Sequence, residues 1–148
     1  MSADSDPKVR QGGCACGVVR FEVALPTKWV ANCHCQNCRR AHGAAFVTYA
    51  GYPKSAFRWT AGADDLAAWA TPTGATRRFC RRCGTTLSYE GPRWADEIHL
   101  ARATIEGELD KPPGGHAYVD HKAAWFEITD SLPQFGGPEG NRKKETRA

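Results

Sequence analysis

Apolar and polar residues alternate in short runs along most of the chain, and glycine, proline or aspartate separates the runs. The stretches 18–25 (VVRFEVAL) and 44–52 (AAFVTYAGY) alternate and carry β-branched and aromatic residues, the pattern of a half-buried strand. Shorter runs of the same kind stand at 57–61, 66–71, 76–80, 85–90 and 97–104. Many short strands with turn signals between them predict an all-β fold, mainly β, built as a sandwich or a pair of packed sheets. One short helix is expected over 36–43 (QNCRRAHG), closed by Gly43 where a C-terminal cap belongs.

The 148 residues fit one domain. No linker, repeat or low-complexity tract divides them. The expected organisation is a flexible tail over 1–9, one domain over 10–137 and a flexible basic tail over 138–148. No apolar run approaches the roughly 18 residues of a membrane span, and the first ten residues lack the apolar core of a secretory leader. Net charge is +4, from 20 Lys and Arg against 16 Asp and Glu. This excess is mild and forms no basic stripe, so small anionic ligands fit better than nucleic acid.

The seven cysteines change the picture. With no leader they point to a reducing, cytoplasmic setting, and an odd count argues against a fully paired disulfide framework. They fall into three clusters: Cys14 and Cys16 (C-x-C), Cys33, Cys35 and Cys38 (C-x-C-x-x-C), and Cys80 and Cys83 (C-x-x-C). Clustered thiols at ligand spacing favour zinc over metal-free buried thiols, and CRRC lacks the βαβ context of a redox motif. Cys14 and Cys16 are paired with Cys80 and Cys83 as a closed four-thiolate structural site. Cys33, Cys35 and Cys38 remain, one ligand short of a tetrahedron. Either the fourth position is open, as in catalytic zinc sites, or a histidine closes it. His42, four residues beyond Cys38, can reach the same helix face, whereas His34 is expected to point away from the metal. An open three-thiolate site suits a thiol ligand.

Arg39, Arg40, Arg77, Arg78, Arg81 and Arg82 flank these clusters. They serve as solvated charges, as counter-charges to thiolates, or as clamps for ligand carboxylates. Strand alternation puts Arg77 and Arg78 on opposite faces. In the late segment, His116 and His121 are read first as packing or surface residues, with an acid–base role as the alternative, and Trp125 as core or pocket wall. The stretch 130–135 (DSLPQF) is expected to dock as a closing irregular segment.

Four blocks occur in order: GGCACGVVRFEV, NCHCQNCRRAHGAAF, RRFCRRCGTTLSY and GGHAYVDHKAAWFEITDSLPQF. Together they resemble the family of glutathione-dependent formaldehyde-activating enzymes, which includes the domain of centromere protein V. The resemblance covers 10–137. It implies a twisted β-tent of packed antiparallel sheets with one short helix, stabilised by zinc. It implies Cys14, Cys16, Cys80 and Cys83 as structural ligands and Cys33, Cys35 and Cys38 as catalytic ones, two zincs per chain in all. It also implies a carbon–sulfur lyase acting on a glutathione–aldehyde adduct such as S-hydroxymethylglutathione, with glutathione as the partner. A non-catalytic zinc-binding interaction module and a redox-responsive zinc protein are the competing readings.

Overall fold

A computed structural model of the chain describes residues 8–137. The expected C-terminal tail lies outside the described residues, as does the expected N-terminal tail up to residue 7; Val9 already opens the first strand. The described residues are mainly β, with one α-helix, α1 (Gln36–His42). The strands are β1 (Val9–Gly13), β2 (Arg20–Ala24), β3 (Trp29–Cys33), β4 (Val47–Pro53), β5 (Phe57–Ala61), β6 (Leu66–Ala70), β7 (Thr76–Cys80), β8 (Thr86–Glu90), β9 (Glu97–Ala101) and β10 (His116–Ala117). No helix among the described residues is long and apolar enough to cross a membrane.

The chain forms two compact units. Described residues of the first are 8–28 and 50–110; those of the second are 29–49 and 111–137.

The first unit carries a three-stranded sheet in the order β1-β2-β5, antiparallel throughout. Alternation in β2 buries Phe21 and Val23 and leaves Arg20, Glu22 and Ala24 partly exposed. Phe21, Phe57 and Trp59 interlock there, with Phe57 and Trp59 edge to face at 4.8 Å. The same unit holds the antiparallel run β9-β8-β7-β6. Leu87, Leu100 and Tyr52 are among its fully buried side chains. Arg77 and Arg78 do part to opposite faces: the Arg77 guanidinium lies 4.9 Å from the Tyr89 ring centre, whereas Arg78 pairs with Glu90.

In the second unit β10 pairs with β3 in parallel, His116 opposite Asn32 and Ala117 opposite Cys33. The 130–135 segment docks along β10, where the His116 amide donates to Pro133 O and the Phe135 amide to His116 O, both at 2.8 Å. Helix α1 ends as its sequence implies, with Gly43 in the left-handed region at φ 60. Trp125 departs from expectation. It is 74% exposed, and its neighbour Phe126 turns inward instead, against Phe46 at 5.4 Å.

Two glycines separate the conformational and steric demands of the first unit. Gly62 and Gly74 both have positive φ, at 82 and 86. A Cβ on Gly62 would lie 2.2 Å from Val18 O, whereas one on Gly74 meets only Pro92 Cγ at 3.8 Å. Gly74→Ala should cost about 1–2 kcal/mol, the left-handed penalty alone. Gly62→Ala should cost clearly more, because the backbone of 18–19 must also move. Urea unfolding of the two variants checks the order, and equal losses would contradict it.

Candidate metal centres

The four-cysteine group is built from two bends of the first unit. Cys14 follows the last residue of β1, and a turn from Cys14 O to the Gly17 amide brings Cys16 back beside it. Cys80 ends β7, and Cys83 stands in the turn to β8, where the Gly84 amide donates to Cys80 O at 2.8 Å. The four Sγ atoms lie within 4.8 Å of one another. Cys14–Cys16 and Cys16–Cys80 sulfur separations are 3.6 and 3.8 Å. Sulfurs about 2.3 Å from one tetrahedral zinc stand roughly 3.8 Å apart, so the group fits the ion.

Backbone amides point at these sulfurs. The Val19 amide donates to Cys14 Sγ at 3.3 Å and the Arg82 amide to Cys80 Sγ at 3.4 Å. The Thr85 hydroxyl is 3.1 Å from Cys83 Sγ. The Thr85 hydroxyl and amide pull the Cys83 thiol down to about 5. Burial opposes the charge on Cys14, but the Val19 amide and the Cys16 and Cys80 thiols hold it below the usual thiol range. The Val18 amide favours the Cys16 thiolate; burial and the three neighbouring sulfurs outweigh it and push Cys16 up to about 11. The arginines here are occupied within the chain. Arg82 Nε donates to Asp65 at 2.8 Å, and Arg81 bonds Asp64 O and stands 3.7 Å from the Asp65 carboxylate.

The three-cysteine group belongs to the second unit. Cys33 ends β3, Cys35 is the N-cap of α1, and Cys38 lies buried in the first turn. The Cys38 amide donates to Cys35 Sγ at 3.3 Å, so a sulfur takes the place of the usual capping oxygen. The three Sγ atoms lie within 4.8 Å of one another, Cys33 and Cys38 at 3.4 Å. Hydrogen bonds that the neutral Cys33 thiol donates to Cys35 and Cys38, followed by burial, push it far up. Cys35 is also raised: Cys33 pulls it down, but Cys38 and burial prevail. Three crowded sulfurs, of which Cys33 and Cys35 resist ionising without a positive charge nearby, are the donor chemistry a cation satisfies, so this group too fits a metal ion.

Among the described residues no histidine, aspartate or glutamate joins either group. His42, the alternative closing ligand, places Nε2 2.9 Å from the Tyr49 hydroxyl. His34 does point away. It is fully buried beside Phe46 at 5.1 Å, with Nε2 2.8 Å from His116 Nδ1. Burial first, then the neighbouring His116, Lys122 and Arg39, hold its imidazole down to about 4. His116 is a buried residue, and its Nε2 lies 3.0 Å from the Asp130 carboxylate. His121 is exposed against Tyr118, and its carbonyl accepts from Arg39 Nη2 at 2.9 Å. The sequence reading missed Asp130 as a partner and missed the histidine pair. Local spacing holds no signal for a contact between residues 82 positions apart.

Comparison with known proteins agrees with this geometry. Residues 9–121 match the family described as glutathione-dependent formaldehyde-activating enzyme. A Halomonas elongata protein provisionally named as such an enzyme is 32% identical, with 80% of each chain covered. An uncharacterized lyase of Schizosaccharomyces pombe is 25% identical over 84% of this chain and 89% of its own. The crystal structure of a Rhodobacter sphaeroides protein superposes with a TM-score of 0.59 at 30% identity, covering 68% of this chain and 91% of that one. With two cysteine groups able to hold metal ions and a family match across most of its length, the chain belongs to the glutathione-dependent formaldehyde-activating enzyme family.

Proposed function

We propose that the protein is a zinc-dependent carbon–sulfur lyase acting on a glutathione–aldehyde adduct such as S-hydroxymethylglutathione. Cys14, Cys16, Cys80 and Cys83 hold a structural zinc, and Cys33, Cys35 and Cys38 hold a second, catalytic one. One observation carries the reading: the three-thiol group has no fourth protein donor among the described residues. A zinc held there would supply Lewis acidity and lower the pKa of a thiol brought to it.

The chain's own part is to hold three sulfurs together and leave the fourth direction to the ligand. In the synthetic sense, the thiol sulfur bonds to the aldehyde carbon, the carbonyl π bond breaks, and the thiol proton ends on the carbonyl oxygen. Cleavage of the adduct is the reverse. Arg78, Arg81 and Arg82 are engaged with Glu90, Asp64 and Asp65, so as clamps for ligand carboxylates they are the weaker choice. The family name and its named relatives support glutathione as the thiol.

Cys38→Ser should reduce bound zinc from two per chain to one and abolish glutathione binding, with the fold retained through the four-cysteine site. Elemental analysis and calorimetric glutathione titration read the two effects. The parent protein should speed exchange between formaldehyde hydrate and S-hydroxymethylglutathione above its uncatalysed rate, measured by exchange NMR. An unchanged rate, or full glutathione affinity in Cys38→Ser, contradicts the proposal.

Acidification should separate the sites, because protons compete with metal for thiolate. Cys33 and Cys35 are pushed up, so their protons return at higher pH; in the four-cysteine group Cys16 is pushed up to about 11 but Cys14 and Cys83 are pulled down, so that site keeps two low-titrating thiolates and has one sulfur more to hold its metal. As pH falls, the three-cysteine site should release zinc first. A zinc-indicator titration should show two steps, the higher-pH step missing in Cys38→Ser. A single step in the parent would contradict the ordering.

A further inference from the structure

We propose that His116 and Asp130 are positioning residues for the three-cysteine site, acting through His34 by fixing its Nε2–H tautomer and thereby the C-x-C arm. The inference rests on the reading that Cys33, Cys35 and Cys38 hold a metal.

The argument starts from alternation. In β3 every second residue is buried, and the pattern runs on past its end: Cys33 and Cys35 are half-buried and His34 between them is fully buried. Residues two apart in extended chain share a face, so the two thiols turn one way and the imidazole the other. Whatever holds that ring therefore sets the direction of both sulfurs. Two contacts hold the arm. The His34 amide donates to Ala117 O at 2.9 Å, and the His34 ring meets His116 at 2.8 Å.

The direction of the ring contact follows from the far end. A carboxylate only accepts, and both Asp130 oxygens lie 3.0–3.1 Å from His116 Nε2, so Nε2 carries a proton. The Leu132 amide donates to the same carboxylate at 3.0 Å. With that end of the ring fixed, the contact is one in which His34 Nε2–H donates to the His116 Nδ1 lone pair. This leaves His34 Nδ1 a bare lone pair, the atom that is buried without a partner. The opposite tautomer would put an N–H there instead, and buried N–H groups without acceptors are rare. A carboxylate behind a histidine is the usual device for selecting its tautomer and orientation. Here the chain is one member longer, from a half-exposed Asp130 to a fully buried ring on the ligand arm.

The test uses zinc-loaded, ¹⁵N-histidine-labelled protein, with zinc alone as the probe. Long-range ¹H–¹⁵N correlation reads the His34 tautomer, and chelator competition reads zinc affinity at each site. The parent should show His34 with its proton on Nε2. In Asp130→Ala, at a half-exposed position, His116 loses its selector. His34 should then show both tautomers, and zinc affinity at the three-cysteine site should fall about tenfold or more, the range for outer partners of metal sites. The four-cysteine site should not change. In His116→Asn the amide oxygen still accepts from His34 Nε2–H, so adding Asp130→Ala to that background should change nothing further. A His34 proton on Nδ1 in the parent overturns the proposal. So does a pure Nε2–H tautomer, or an unchanged zinc affinity, in Asp130→Ala. None of these readouts involves glutathione or turnover, so failure here is distinct from failure of the proposed lyase activity, and the parent's tautomer is read whether or not the second zinc is present.

Discussion

Thiols crowded within 4.8 Å of one another are the constraint on which this structure turns. Each ionised sulfur repels the next, and each burial makes ionisation harder. A cation reverses the sign of both effects. The magnitude decides how much follows from it. Zinc held by a structural site contributes about 10–16 kcal/mol in small zinc-binding peptides. Net domain stability is about 5–15 kcal/mol. A metal at Cys14, Cys16, Cys80 and Cys83 would therefore match the whole net stability of an ordinary domain. It ties the end of β1 to the turn between β7 and β8.

The two groups answer the same repulsion differently. Around the four-cysteine group, amides of Val19 and Arg82 and the Thr85 hydroxyl are already directed at sulfur. Such donors stabilise thiolate and spread its charge, which suits a site that keeps its metal. The three-cysteine group has a short helix start, an amide bond from Cys38 to Cys35 Sγ, and Cys33 and Cys35 thiols pushed up by Cys38 and by burial. That is a site whose charge balance is left to its ligand. The contrast is physical support for assigning a structural role to one and a chemical role to the other.

Most of this was legible in the sequence because it is local. Alternation located β5 and β7 to the residue and β2, β4, β6, β8 and β9 to within a few. Gly43 marked the end of α1, and ligand spacing grouped the cysteines as the fold does. β1 and β3 escaped although each has five residues, and so did β10 and the longer-range contacts. β10 has two residues, too few to show a period, and its parallel partner β3 ends inside a cysteine motif that drew attention to metal chemistry instead. Trp125 and Phe126 are adjacent aromatics, and composition does not say which of two neighbours turns inward. His42 was a plausible ligand by helical spacing, but Tyr49 offered its ring a partner that spacing does not reveal.

The same division explains why histidines were harder to place than cysteines. A thiol cluster declares itself through i, i+2 and i+3 spacing, because the ligands share one bend. A histidine's role depends on what meets its second nitrogen, and that partner comes from wherever the fold brings it. His34 is the sharpest case. Its place between Cys33 and Cys35 made it a ligand candidate by proximity, yet alternation required it to face away. Its function then had to lie on the opposite side of the strand, among Phe46, Phe126 and His116. The segment carrying His116 and Asp130 contributes no thiol. It nevertheless supplies the ring, the carboxylate and the Ala117 carbonyl that hold the ligand arm, so the geometry of the three-cysteine site is fixed as much by what stands behind it as by its own sulfurs.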